Sequence, residues 1–223
     1  MAHAHPIYAA IFDMDGLLID SEPLWEQAEL EVMESLGVDI SRHDELPETL
    51  GLRIDVVVDL WFNAQPWQGP SPQQVTQRII KRVIEIIEVK RPLLPGVVDA
   101  LTLCRSLGLK TGLASASPRH MLEHVLQIFN LTGYFDAIES AESLPYSKPH
   151  PQVYLNAAAA LGVNPVNCVT LEDSVNGMVA SKAARMRSIV VPVADNLTDP
   201  RWGLAEVKLP SLAQLTRSQL LGE

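Results

Sequence analysis

Apolar and polar positions recur along this chain with two different periods. Five short, nearly unbroken apolar runs, at 8–13, 109–114, 137–140, 166–171 and 188–191, predict β-strands. Four of them are rich in Val, Ile or Leu with little polar alternation, the pattern of a parallel sheet covered on both faces. Between them, helical spacing predicts helices over 96–107, 118–131, 151–161 and 174–184. Gly108 and Gly162 stand where the first and third should stop, and Ser117-Pro118 reads as an N-cap followed by proline at the first helical position. Strand and helix alternate, which predicts βαβ units, right-handed crossovers and a Rossmann-like α/β core.

Residues 20–90 break that alternation. Leu24, Ala28, Val32 and Leu36 recur at helical spacing before Gly37, 54–62 reads as a second apolar helix, and Ser71-Pro72 opens a long helix over 73–89 whose Ile79, Val83 and Ile86 form one stripe. The expected organisation is therefore an α/β core domain of residues 1–19 and 91–223, interrupted by an all-helical cap domain of residues 20–90. Both connections flank the end of the first strand, where the hinges of a lid would lie.

Composition narrows the function. Of 223 residues, 47% are apolar and 20% charged, ordinary for a soluble globular protein, and nothing approaches a membrane-spanning run. Residues 1–6 lack a basic region followed by an apolar stretch, so no signal peptide is expected and cytoplasmic residence follows. Cys104 and Cys168 form no metal or disulfide pattern and read as reduced packing residues. A net charge of −10 opposes nucleic-acid binding. Any anion site must then be assembled locally from a metal, a lysine and backbone N–H groups.

The candidate chemistry starts at Asp13-Met14-Asp15-Gly16, where the first strand runs out. Side chains two apart on a strand point the same way, so Asp13 and Asp15 face one crevice, at the strand end where open α/β sheets bind ligands. Ser115-Ala116-Ser117, Lys148-Pro149 and Glu172-Asp173 follow the second, third and fourth strands. In a parallel sheet those ends share one rim.

These four motifs, in this order and spacing, resemble the haloacid dehalogenase (HAD)-like phosphohydrolases over nearly the full chain. The helical insert after the first motif is similar to the cap of the subgroup that holds β-phosphoglucomutase and small sugar-phosphate phosphatases. The resemblance implies a HAD-like core with strand order 5-4-1-2-3. It also implies a phosphatase acting on small sugar or sugar-alcohol monophosphates, among them hexitol phosphates and 2-deoxyglucose 6-phosphate. On that resemblance Asp13 is the nucleophile, forming an aspartyl phosphate, and Asp15 the acid/base. Met14, Ser115 and the Ala116 N–H, with Asp13, Asp15 and Lys148, bind the phosphoryl group, and Lys148 neutralises charge on it. Mg²⁺, with Mn²⁺ or Co²⁺ as substitutes, would sit on Asp13, the Asp15 backbone carbonyl and Asp173, with Glu172 either a ligand or an orienting acid. A single chain supplies the whole site, so a monomer is expected.

Weaker positions leave alternatives open. Arg53 either reaches the substrate or is a solvated cap arginine. Glu22 binds sugar hydroxyls or caps its helix. Asn176 fixes its loop. His3 and His5 belong to a frayed terminus. Asp15 separates this chain from haloacid dehalogenases, whose halide leaving group needs no proton, and no lysine between Asp15 and Lys81 supports a phosphonatase. Mutases of the subgroup carry a cap histidine where this chain has Trp25, which favours hydrolysis; that Trp either stacks on sugar or packs the cap. A catalytically silent binding protein on this fold would lack Asp13, Asp15 or Lys148, and all three are present.

Overall fold

The computed structural model describes residues 5–47, 49 and 51–223. Six parallel strands form one sheet: β1 (Ala9–Phe12), β2 (Lys110–Ser115), β3 (Ala137–Ser140), β4 (Cys168–Glu172), β5 (Arg187–Val190) and β6 (Val207–Lys208), in the order β3-β2-β1-β4-β5-β6. Read from the other edge, this is the expected 5-4-1-2-3 order extended by one strand. β6 contributes two residues at the outer edge of β5, too short to leave a periodic signal.

Both faces of the sheet are covered. Ala9 and Ile11 of β1 pack with Ala157, Ala158 and Tyr154 of α6 (Gln152–Leu161) and Ala180 of α7 (Val175–Ala183). Ala10 and Phe12 join the opposite cluster with α4 (Val97–Ser106) and α5 (Arg119–Ile128). A strand flanked by helices on both sides has no polar face, hence the continuous apolar run. Phe12 is in register with Leu113 of β2 and Leu171 of β4, so the residues just beyond these strands share one rim.

Between β1 and α4 the chain forms α1 (Glu22–Ser35), a 3₁₀ turn (Ile40–Glu45), α2 (Ile54–Ala64) and α3 (Pro72–Lys90), with no strand among the described residues of this insert. Ser71 caps α3 in a reciprocal capping box with Gln74, as the Ser-Pro signal predicts. Ile79, Val83 and Ile86 are buried together with Leu24 and Ala28 of α1 and Trp61 of α2. The two connections run side by side: the Asp20 N–H donates to the Pro92 carbonyl and the Leu94 N–H to the Leu18 carbonyl, both at 2.9 Å.

One predicted cap is corrected. α5 begins at Arg119, and Pro118, in extended conformation, occupies the cap position, so Ser117 does not cap the helix. The fixed φ of proline carries the chain into the helix, and the Ser117 hydroxyl turns toward the sheet rim. Both cysteines are buried and unpaired, and burial pushes each thiol up to about 12. No helix of the described residues is long and apolar enough to cross a membrane.

Candidate active site

A cavity of about 360 Å³ opens at the carboxyl rim of the sheet, lined on the core side by Asp13, Asp15, Ser115, Ala116, Lys148 and Asp173. The insert closes it from the other side with Glu22, Trp25, Glu29, His43 and Arg53. Met14 does not line it: its side chain is wholly buried in the apolar core, so what it can offer is backbone.

Lys148 sits at the centre of the buried charges, its Nζ 2.9 Å from Asp13 Oδ1 and 2.5 Å from Glu172 Oε1. Burial alone would lower its pKa, but the two carboxylates more than offset that and hold the ammonium charged. Glu172 is saturated. Oε1 also accepts from the Tyr154 hydroxyl, and Oε2 accepts from the Ser174 N–H at 3.3 Å and the Ser174 hydroxyl at 3.1 Å. A carboxylate already holding four donors fits an orienting role better than metal ligation. Tyr154 and Ser174 were not singled out from sequence; Tyr154 lies on the first turn of the helix that follows Lys148, where its signal is that of any apolar helical position.

Asp13 and Asp173 are different. One oxygen from each of Asp13, Glu172 and Asp173 lies within 4.8 Å of the other two, and Asp173 Oδ1 is buried with no hydrogen-bond partner among the described residues. Burial pushes Asp13 up to about 8, with Lys148 pulling the other way. Burial, then Glu172 and Asp13, holds Asp173 well above the usual carboxylate range. An orphaned buried carboxylate oxygen beside a second acid fits a hard cation with oxygen ligands. The backbone beside it is tightly fitted: Gly16 has φ +72°, and a Cβ there would lie 2.1 Å from Asp173 Oδ2.

Asp15 is gripped from the sheet rim and from the start of the helical insert. Its Oδ1 accepts from the Ser21 hydroxyl at 2.8 Å and the Trp25 indole N–H at 2.9 Å, and its Oδ2 from the Ser117 hydroxyl at 2.6 Å and the Ser115 hydroxyl at 3.3 Å. Sequence reasoning missed the Ser21 and Ser117 contacts and read Trp25 only as a ring. Ser21 and Trp25 are four apart at the start of α1, a spacing that places both on one helix face.

The remaining positions divide. Arg53 lines the cavity, but its guanidinium is held by Asp55 at 2.6 and 2.7 Å and donates to the carbonyls of Ala141 and Leu144 at 3.0 and 2.8 Å, tying the insert to the loop before Lys148. Glu22 is the first residue of α1 and faces the cavity; burial, then Asp15 and Asp20, pushes it up to about 7. Asn176 lines a neighbouring cavity with Leu52 and Trp202. His5 is exposed, and His3 lies outside the described residues.

With this geometry in view, three likenesses are informative. The chain is 67% identical to hexitol phosphatase B of Escherichia coli (strain K12), over 222 residues and the full length of both proteins. Its fold is similar to CbbY of Rhodobacter sphaeroides in complex with xylulose 1,5-bisphosphate (TM-score 0.85, 27% identity, 96% of this chain and 99% of that one). It is also similar to β-phosphoglucomutase of Clostridium difficile (TM-score 0.80, 26% identity, 95% and 94%). The haloacid dehalogenase-like hydrolase family matches residues 7–185, a span that holds every side chain of the cavity, and the chain belongs to that family.

Proposed function

We propose that this enzyme, a phosphoric monoester hydrolase, is a Mg²⁺-dependent phosphatase of small sugar or sugar-alcohol monophosphates, hexitol phosphates and 2-deoxyglucose 6-phosphate among them. The observation that carries the reading is the convergence of Asp13, Asp15, Ser115, Lys148 and Asp173 on one cavity. Asp13 attacks phosphorus, and the resulting aspartyl phosphate splits a very slow hydrolysis into two easier steps. Asp15 gives its proton to the leaving alkoxide and then takes one from the attacking water. Ser115, the Ala116 N–H and the backbone at Met14 hold the phosphoryl oxygens. Lys148, fixed by Glu172, opposes the negative charge on Asp13 and the phosphoryl group. Asp13, Asp173 and the Asp15 carbonyl would hold Mg²⁺; a bound Mg²⁺ offsets the repulsion between a carboxylate and a phosphate dianion.

Residues 20–90 act as a cap domain on a core of residues 1–19 and 91–223, and its closure excludes bulk water. The protein acts as a cytoplasmic monomer that binds neither nucleic acid nor membrane, and its net charge of −10 supports the exclusion of nucleic acid. Phosphate release from a panel of hexose and hexitol phosphates tests the reading. Turnover should vanish in Asp13→Asn and in EDTA, with the fold kept; substantial activity in either sinks the mechanism.

The likeness to β-phosphoglucomutase supports a second reading, phosphoryl transfer between sugar hydroxyls. Glucose 6-phosphate accumulating from β-glucose 1-phosphate and a bisphosphate primer, faster than free phosphate, would favour it.

A further inference from the structure

Opposite the phosphoryl end, the cavity wall carries a buried acid that the mechanism above does not use. Glu29 of α1 is 6% exposed and lines the cavity. Its Oε1 accepts from the Trp61 indole N–H at 2.6 Å and lies 3.7 Å from His43 Nε2. His43 stacks on Trp61, with ring centroids 6.0 Å apart and planes at 28°. The Trp61 indole is the one hydrogen-bond donor to Glu29 among the described residues. A buried carboxylate is costly unless its lone pairs are filled. Here the Trp61 indole fixes one oxygen, and the carboxylate, bordering the cavity, keeps acceptor capacity for a ligand there.

The charge around it has one sign. Glu22 and Glu26 line the same wall. Of the basic residues that line the cavity among the described residues, Lys148 is engaged by Asp13 and Glu172, Arg53 by Asp55 and two core carbonyls, and His43 lies beside Glu29 itself. A second phosphate or a carboxylate at the far end of a substrate would meet acids with no cation committed to it. A hydroxyl would meet an acceptor held in place.

We propose that Glu29 is the specificity residue of this site, accepting a hydroxyl from the far end of the substrate. The substrate class is then a singly phosphorylated, otherwise uncharged polyol, and sugar bisphosphates and phosphorylated sugar acids are refused. The inference rests on the phosphatase reading of the same cavity. It separates this chain from its structural neighbour CbbY, whose complex holds a bisphosphate.

The test is kcat/KM for phosphate release from a hexitol monophosphate, a hexose 1,6-bisphosphate, 6-phosphogluconate and p-nitrophenyl phosphate, in the wild type and in Glu29→Gln. The amide keeps an acceptor for Trp61 and removes the charge. In the wild type the hexitol phosphate should exceed the bisphosphate and the phosphogluconate at least a hundredfold. In Glu29→Gln that ratio should fall at least tenfold; a ratio of two kcat/KM values cancels any loss of folded enzyme. A wild-type ratio near one overturns the assignment, as does a ratio that Glu29→Gln leaves unchanged. Release from p-nitrophenyl phosphate with none from the hexitol phosphate overturns it while the phosphatase reading stands. No release from any of the four sinks that reading, and the assignment with it.

Discussion

The indole N–H of Trp25 donates to Asp15 Oδ1 at 2.9 Å, across ten residues that carry the chain from the core into the insert. The bond, with that of Ser21 beside it, makes the orientation of Asp15, the acid/base of the proposed mechanism, depend on where α1 sits. A hydrogen bond to a charged group contributes about 1.5–3 kcal/mol, which is tenfold or more in rate if it is made in the transition state. Trp25→Phe keeps the ring and removes the donor. Its kcat on a hexitol phosphate should fall at least tenfold with KM within about twofold. It should lose less on p-nitrophenyl phosphate, whose leaving group needs little help from a proton. Equal losses in kcat and KM on both substrates would reduce Trp25 to a packing residue.

Gly177 and Glu172 set propensity against sterics. Gly177 lies within α7, where alanine would ordinarily be favoured by roughly 0.5–1 kcal/mol. A Cβ at this position, however, would lie 1.8 Å from Glu172 Oε1 and 1.9 Å from its Cδ. Glu172 is fully buried and held by Lys148, Tyr154 and Ser174, so it has nowhere to go. Overpacking of this kind costs about 1–3 kcal/mol, and it wins. Gly177→Ala should melt several degrees lower and lose turnover as Lys148 shifts with its partner. Gly203→Ala, where a Cβ meets nothing within 4 Å, is the control and should melt like the wild type.

What the sequence revealed, and what it hid, follows from how far each signal reaches. The sheet was legible because its central strands are buried on both faces, so every residue from Ala9 to Phe12 had to be apolar. The rim acids and Lys148 were legible because each follows a strand, and parallel strands bring those ends together whatever the intervening helices do. The grip on Asp15 was not legible in full. Ser117 carries the same local signature whether it caps a helix or turns into a site, and only the three-dimensional position of Asp15 decides between them. Glu29, Trp61 and His43 lie on separate elements of the insert, and their meeting depends on how α1 and α2 pack. β6 was invisible because two residues carry no period.

In the proposed mechanism Lys148 connects catalysis to stability. It is the ion-pair partner of both Asp13 and Glu172, each buried. Removing one partner of a buried pair destabilises by about 3–5 kcal/mol, because the charge left behind is neither solvated nor compensated. Lys148→Met keeps much of the apolar stem and deletes the ammonium. Urea unfolding in EDTA should show a loss of that size. Excess Mg²⁺ should recover part of it, since a cation bound by Asp13 and Asp173 restores positive charge to the same cluster and binds only the folded chain. The Mg²⁺-dependent gain should therefore be larger in Lys148→Met than in the wild type, while turnover stays lost in both buffers. An equal gain in the two proteins would mean that the metal and the ammonium act on separate charges, and Asp13 could not then be the carboxylate that joins them.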